Sequence, residues 1–257
     1  MWIRQKTTEL CLHPVLKSDR MKAPAPSISP KATRFLDSVL RLQPKLAVFD
    51  CDGTLWRGDA GEGFFRWELE RGLVSEEIVA WAGRRYADYK KGNVDEDTMC
   101  AEMVTMHRGL KEGDVQKVAT EYFEQNFVTE IFPEMRELVR RLQNHGTEVW
   151  AVSSTNLWVI RAGMKHFGIP ENRILAATAA IRDGIILDRI VRLPTGAGKP
   201  TAIQEAIRKI PDAAFGNSRF DTEMLQMSRY AFAVNPNPDL EKTATKLHWT
   251  IYRPDPL

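Results

Sequence analysis

The chain has 257 residues, 43% of them hydrophobic and 27% charged, and its 36 basic and 34 acidic side chains leave a net charge of +2. That length allows one large or two modest domains with a buried core. The near-balance of charge excludes a general polyanion binder, so no nucleic-acid partner is expected, and no apolar run approaches the roughly 20 residues of a membrane span.

Residues 1–30 are predicted to form a flexible arm, because Glu9, His13 and Lys17 interrupt any signal-peptide core and residues 21–30 hold three prolines. The expected location is cytoplasmic. Cys11, Cys51 and Cys100 are widely spaced with no CxxC pair, which predicts free thiols. A short helix over 31–43 is followed by the apolar run Leu46-Ala47-Val48-Phe49, read as a buried strand that ends abruptly in Asp50-Cys51-Asp52-Gly53-Thr54. From Gly63 to about Thr129 four helical segments follow with no strand between them. Beyond Pro133 the pattern alternates: helix, strand TEVWAVSS, helix, a hairpin turning near Arg182-Asp183-Gly184, helix, strand AAFGNS, a short helix and strand AFAVNP. The fold class is therefore α/β, a Rossmann-like doubly wound parallel sheet with a small all-helical cap inserted after the first strand. The core is assigned to 31–58 and 131–257, the cap to 59–130. Ligands of such sheets bind beyond the carboxyl ends of the strands, where the polar clusters fall.

Asp50 and Asp52 lie two residues apart at a strand end, and Gly53 permits close backbone approach in the loop that carries them. Two carboxylates aimed into one crevice repel each other unless a cation or hydrogen bonds relieve them. LAVFDCDGTL resembles the first motif of the haloacid dehalogenase superfamily, in its phosphoserine-phosphatase-like branch. VWAVSSTN resembles the second motif, Gly198-Lys199-Pro200 before a helix the third, and AAFGNSRFDTEM the fourth.

The resemblance implies a phosphomonoester hydrolase dependent on Mg²⁺, with Asp50 as the nucleophile that forms an aspartyl-phosphate, Asp52 as the acid and then base, and Lys199 as the cation. A phosphate dianion repels a carboxylate, so attack requires the neighbouring cations. Ser153 or Ser154 would hold the phosphate with Lys199, Gly53 and Thr54; Ser153 is favoured because the apolar run stops at Val152. The implied metal ligands are Asp50, the backbone carbonyl of Asp52, Asn217 where the superfamily most often has Asp, and Asp221, which also lies within reach to orient Lys199. An amide oxygen still ligates a hard cation but brings no charge. Asp52 argues against dehalogenation, since the branch that names the superfamily lacks it.

In the phosphoserine-phosphatase-like branch an acid nine residues after the nucleophile contacts the substrate's amino group. That position is Asp59, with Glu62 one turn beyond; both also suit a helix N-terminus. The arginine that clamps the serine carboxylate aligns with Met103, and Arg108 or the Arg84-Arg85 pair are the substitutes within reach in sequence. Trp56, with Phe64, Phe65, Trp67 and Trp81, is read either as a cage for an organic cation or as packing between helices. The expected partner is a small phosphorylated metabolite, and the chain is expected to be a monomer or homodimer. Phosphoryl transfer to a second metabolite is the alternative chemistry. A phosphometabolite-binding module with a weakened metal site, motivated by Asn217, is the alternative of another class.

Overall fold

The computed structural model describes residues 28–257, so most of the expected arm and Cys11 lie outside the described residues. Ser29 and Pro30 belong to the first helix, α1 (Pro30–Leu40): Ser29 is its N-cap, its hydroxyl accepting the Ala32 N–H at 3.1 Å, and Pro30 opens it. Pro is favoured there because its missing N–H would have no partner anyway.

Seven strands form one sheet: β1 (Leu46–Phe49), β2 (Glu148–Asn156), β3 (Ile174–Arg182), β4 (Ile185–Arg192), β5 (Ala213–Gly216), β6 (Tyr230–Val234) and β7 (Thr250–Tyr252). Their order is β4-β3-β2-β1-β5-β6-β7, with β3–β4 antiparallel and every other pair parallel. All four β1 residues are buried, which explains an unbroken apolar run rather than an alternating one. Ala47 and Phe49 face a cluster built with α1, α6 (Pro133–Asn144) and α7 (Leu157–Met164). Leu46 and Val48 face the opposite one, built with α8 (Gly198–Ala206), α9 (Thr222–Met227) and α10 (Pro238–Lys246). Strand order reverses at β1, whose neighbours are β2 on one side and β5 on the other, and this leaves a crevice at their carboxyl ends. The sequence reading named no element after AFAVNP, although Asn237-Pro238, which caps and opens α10, is a start signal.

Between β1 and α6 lie α2 (Ala60–Arg71), α3 (Glu76–Lys90), α4 (Glu96–Thr105) and α5 (Glu112–Asn126). They are not an independent unit in their packing. Phe64 of α2, Val104 of α4 and Tyr122 and Phe123 of α5 join the same apolar cluster as Trp158 and Met164 of α7, while Ala82 of α3 sits in a smaller cluster with Phe65, Val74 and Met106. The hairpin turns at Asp183 and Gly184, both at positive φ as a tight two-residue turn requires. Its far strand also pairs with the chain between α4 and α5: Gly109 N–H donates to the Ile186 carbonyl at 2.8 Å, Ile186 N–H to Leu110 at 3.0 Å, and Glu112 N–H to Gly184 at 2.9 Å.

Inside the insertion, Glu68 of α2 and His107 are both buried, 2.6 Å apart, and His107 Nδ1 lies 3.2 Å from the Val104 carbonyl. Burial raises the Glu68 carboxyl. Burial opposes the charged imidazole too, but the Glu68 carboxylate outweighs it and the His107 pKa is raised. A raised folded pKa stabilises the fold at low pH and loses that contribution as pH climbs through it. Urea unfolding between pH 6.5 and 9 is therefore expected to show stability falling with pH, and His107→Gln is expected to flatten that slope; an unchanged slope would assign the effect elsewhere.

Candidate active site

The β1–β5 pairing runs one residue past β1: Asp50 N–H donates to the Phe215 carbonyl at 2.9 Å. Asp50 thus stands just beyond the carboxyl end of β1, where it lines the cleft. One carboxylate oxygen, Oδ1, accepts Lys199 Nζ at 2.7 Å and the other accepts the Thr54 hydroxyl at 2.8 Å. Thr54 is fully buried and its hydroxyl is committed to Asp50. Lys199 lies in the first turn of α8, rather than ahead of the helix as expected, and is only 2% exposed. Its three ammonium protons have three acceptors: Asp50 Oδ1, Asp221 Oδ1 and the Val152 carbonyl at 3.2 Å. Burial disfavours its charge, yet Asp221 and Asp50 hold the ammonium above its ordinary pKa. Asp50 is pushed up to about 6 by burial and by Asp221, with Lys199 and Thr54 opposing.

Asp221 is fully buried. Its second oxygen accepts the Asn217 and Ser218 N–H groups, both at 2.9 Å, so the carboxylate is tied to its own loop on one side and to Lys199 on the other. Of the two roles open in the sequence, ligating a metal or orienting Lys199, the geometry corresponds to the second. Asn217 packs its amide on the motif loop: a Cβ on Gly53, which has φ +71°, would come within 1.8 Å of Asn217 Nδ2. Only glycine serves at that position.

Asp52 accepts from both sides of the cleft. Oδ1 takes the Trp56 indole N–H at 2.7 Å and the Ala60 N–H, at the start of α2, at 2.6 Å; Oδ2 takes the Thr155 hydroxyl at 2.7 Å. Burial, with the charge of Asp59, raises its carboxyl to about 8 against the Ala60 and Thr155 hydrogen bonds. Thr155 was missed in the sequence because its significance depends on β2 running past Ser153. β2 continues to Asn156, and its register against β3 jumps between Ser153 and Asn156, so Ser154 and Thr155 bulge from the ladder. Ser154 consequently lines the cleft, whereas Ser153 is buried and its hydroxyl accepts the Thr155 N–H at 3.1 Å. The preference for Ser153 rested on a strand end at Val152 that the bulge displaces.

The cleft holds about 410 Å³ and is lined by Asp50, Asp52, Gly53, Lys199 and Asn217, among others. It shares Asp59, Tyr89, Glu96, Ser154 and Thr155 with a narrower cavity under α2–α4, which Glu62, Tyr86, Met99, Cys100 and Met103 complete. Asp59 caps α2, accepting the Glu62 N–H at 2.8 Å, and desolvation, with the charges of Glu62 and Glu96, raises its carboxyl. Among the described residues no arginine or lysine lines the narrower cavity. Met103 sits there at the aligned clamp position, while Arg85 is bound to Glu102 and Arg108 to Asp188. Of the two readings of Trp56 and its companions, the geometry corresponds to packing. Trp56 is fully buried against Phe123, Phe64 packs on Tyr122, and the cavity's aromatic residues are Tyr86 and Tyr89.

Among the described residues no cluster of three His, Cys, Asp or Glu side chains has metal-holding geometry. Asp50, Asp52 and Asn217 nevertheless all line the cleft, and a carboxylate, a backbone carbonyl and an amide oxygen are the hard donor types a divalent hard cation takes. Among the described residues no helix is long and apolar enough to cross a membrane.

Three comparisons place this arrangement. The chain is 27% identical over 217 residues to a histidinol-phosphatase of Neisseria meningitidis, covering 80% of this chain and 97% of that one. A protein of unknown function from Bordetella pertussis Tohama I shares the fold with a TM-score of 0.71 at 20% identity, over 80% of this chain and 97% of its own. A substrate-bound phosphoserine phosphatase does so with a TM-score of 0.56 at 17% identity, over 81% and 92%. Residues 47–226 match the model of the haloacid dehalogenase-like hydrolases, a span that contains Asp50, Asp52 and Lys199 in one cleft with Asp221 bound to Lys199 behind it, and the chain belongs to that family.

Proposed function

We propose that the chain is a phosphatase that hydrolyses a small phosphomonoester carrying an amine and no carboxylate, through an aspartyl-phosphate on Asp50. The observation that carries this reading is the continuity of two chemistries: a cleft with Asp50 against Lys199 opens into a cavity lined by Asp59, Glu62 and Glu96 and, among the described residues, by no basic side chain. In the first displacement an Asp50 oxygen bonds to phosphorus and the ester oxygen leaves, taking a proton from Asp52; in the second, Asp52 takes a proton from the attacking water. Lys199 offsets charge on the transferring group, and Asp221 holds Lys199 in place. Asp50, the Asp52 carbonyl and Asn217 are the residues that would hold Mg²⁺, which when bound supplies positive charge beside the phosphate oxygens. Helices α2–α5 form the cap that covers the substrate and excludes water.

An ammonium is favoured by the Asp59 and Glu96 carboxyls that line this cavity, whereas a substrate carboxylate beside them meets like charge; Glu62 is already paired with Arg66 and Lys90. The relative named histidinol-phosphatase supports this direction, since histidinol phosphate has an amine and no carboxylate. Phosphate release should be measured from histidinol phosphate, phosphoethanolamine and phosphoserine, with Mg²⁺ and with EDTA. The carboxylate-free amines are expected to exceed phosphoserine by about tenfold or more in kcat/KM, which is about 1.4 kcal/mol of discrimination, and EDTA is expected to abolish release. Preference for phosphoserine would overturn the substrate class; full activity in EDTA would overturn the metal assignment.

A further inference from the structure

The two oxygens of Asp52 are held in unequal ways. Oδ1 accepts two N–H groups, from Trp56 and Ala60, which occupy both of its lone pairs. Oδ2 accepts one hydrogen, from the Thr155 hydroxyl, and keeps one lone pair. That contact depends on the bulge that lifts Thr155 out of β2 and on Gly61, where a Cβ would stand 2.4 Å from Thr155 Oγ1.

We propose that Thr155 is a positioning residue that makes Oδ2 the proton-carrying oxygen of Asp52 and fixes which of its lone pairs bears the proton. The inference rests on Asp52 being the acid and base of the proposed function. During the first displacement the bond from Asp50 to phosphorus forms, the bond from phosphorus to the ester oxygen breaks with its electron pair on that oxygen, and the proton on Oδ2 moves there. During the second, the water oxygen bonds to phosphorus, the bond from phosphorus to Asp50 breaks, and a water proton returns to Oδ2. Through both, the Thr155 hydroxyl occupies the other lone pair and holds the plane of the carboxyl.

A residue that aims a leaving-group acid matters in proportion to how much the leaving group needs its proton. Two esters of similar shape separate this from a general packing role: p-nitrophenyl phosphate, whose phenolate leaves readily, and phenyl phosphate, whose phenolate does not. In the full chain with Mg²⁺, Thr155→Val is expected to lower kcat/KM for phenyl phosphate by about ten- to a hundredfold but for p-nitrophenyl phosphate by less than about threefold. Thr155→Ser, which keeps the hydroxyl, is expected to stay within about threefold of wild type on both esters. If Thr155→Val does not fold, Thr155→Ala is measured for the same split. Equal losses on the two esters, or failure of Thr155→Ser to restore turnover of phenyl phosphate, would overturn the inference. Asp50→Asn serves as the separate control: if it retains turnover of both esters the aspartyl-phosphate reading falls, whereas an inactive Asp50→Asn beside equal losses in Thr155→Val overturns the role of Thr155 alone.

Discussion

Asp50→Asn is expected to lower phosphate release from every phosphomonoester tested by about a thousandfold or more while leaving the thermal unfolding midpoint at or above that of wild type. The amide is nearly the same shape, so it fits the same space beside Lys199 and Thr54, but its oxygen is too weak a nucleophile for phosphorus. Stability is spared because burial already disfavours the Asp50 charge, pushing its carboxyl up to about 6, and because Lys199 keeps Asp221 as its counter-ion. Acid quenching during turnover and mass spectrometry are expected to find phosphate on Asp50 of the wild type and none in the variant. A variant with wild-type turnover, or phosphate trapped on a different residue, would remove Asp50 from the chemistry.

Lys199→Met is expected to be both inactive and less stable by about 3–5 kcal/mol near neutral pH, the cost of leaving buried charge without its partner. The side chain is 2% exposed, and it stands between Asp50 and Asp221, which are themselves buried. Methionine fills the volume but supplies no proton to any of the three acceptors that Lys199 satisfies. The sign with pH follows from Asp50: without the cation its ionised form is dearer still, so the deficit is expected to shrink as the pH falls and the carboxyl takes a proton. Urea unfolding at pH 7.5 and pH 5 measures this. Adding Asp221→Asn to Lys199→Met is expected to recover part of the lost stability, because it removes one of the two stranded charges. If Lys199→Met unfolds at the wild-type urea concentration at both pH values, the buried triad contributes nothing to the fold.

The order of elements from β1 to β6 was legible because each signal is local. Leu46–Phe49 is apolar throughout as a strand buried on both faces must be, Asp183-Gly184 is a turn pair that accepts positive φ, and the insertion carries helix N-caps such as Ser75 and Asp95. Asp50, Asp52 and Lys199 were legible for a related reason, since their motif loops follow or precede elements that a run of neighbouring residues defines. Trp56 shows where such reading stops. A tryptophan six residues after Asp50 faces a ligand or a core with equal ease in sequence, and only its packing on Phe123 and its indole hydrogen bond to Asp52 decide for the core.

The parallel α/β architecture, the helical insertion and the charged residues at the carboxyl ends of the strands are readable from the sequence, because periodicity and short motifs are properties of adjacent residues. The tertiary structure alone decided how those charges pair. The commitment of Asp221 to Lys199, the bulge that turns Ser154 and Thr155 toward the cleft, and the cavity that Asp59 and Glu96 line together all join atoms from segments far apart in the chain. Hydrogen bonds and desolvation act through space over a few ångströms, and the side chains that supply them are brought within that range only by the closed fold.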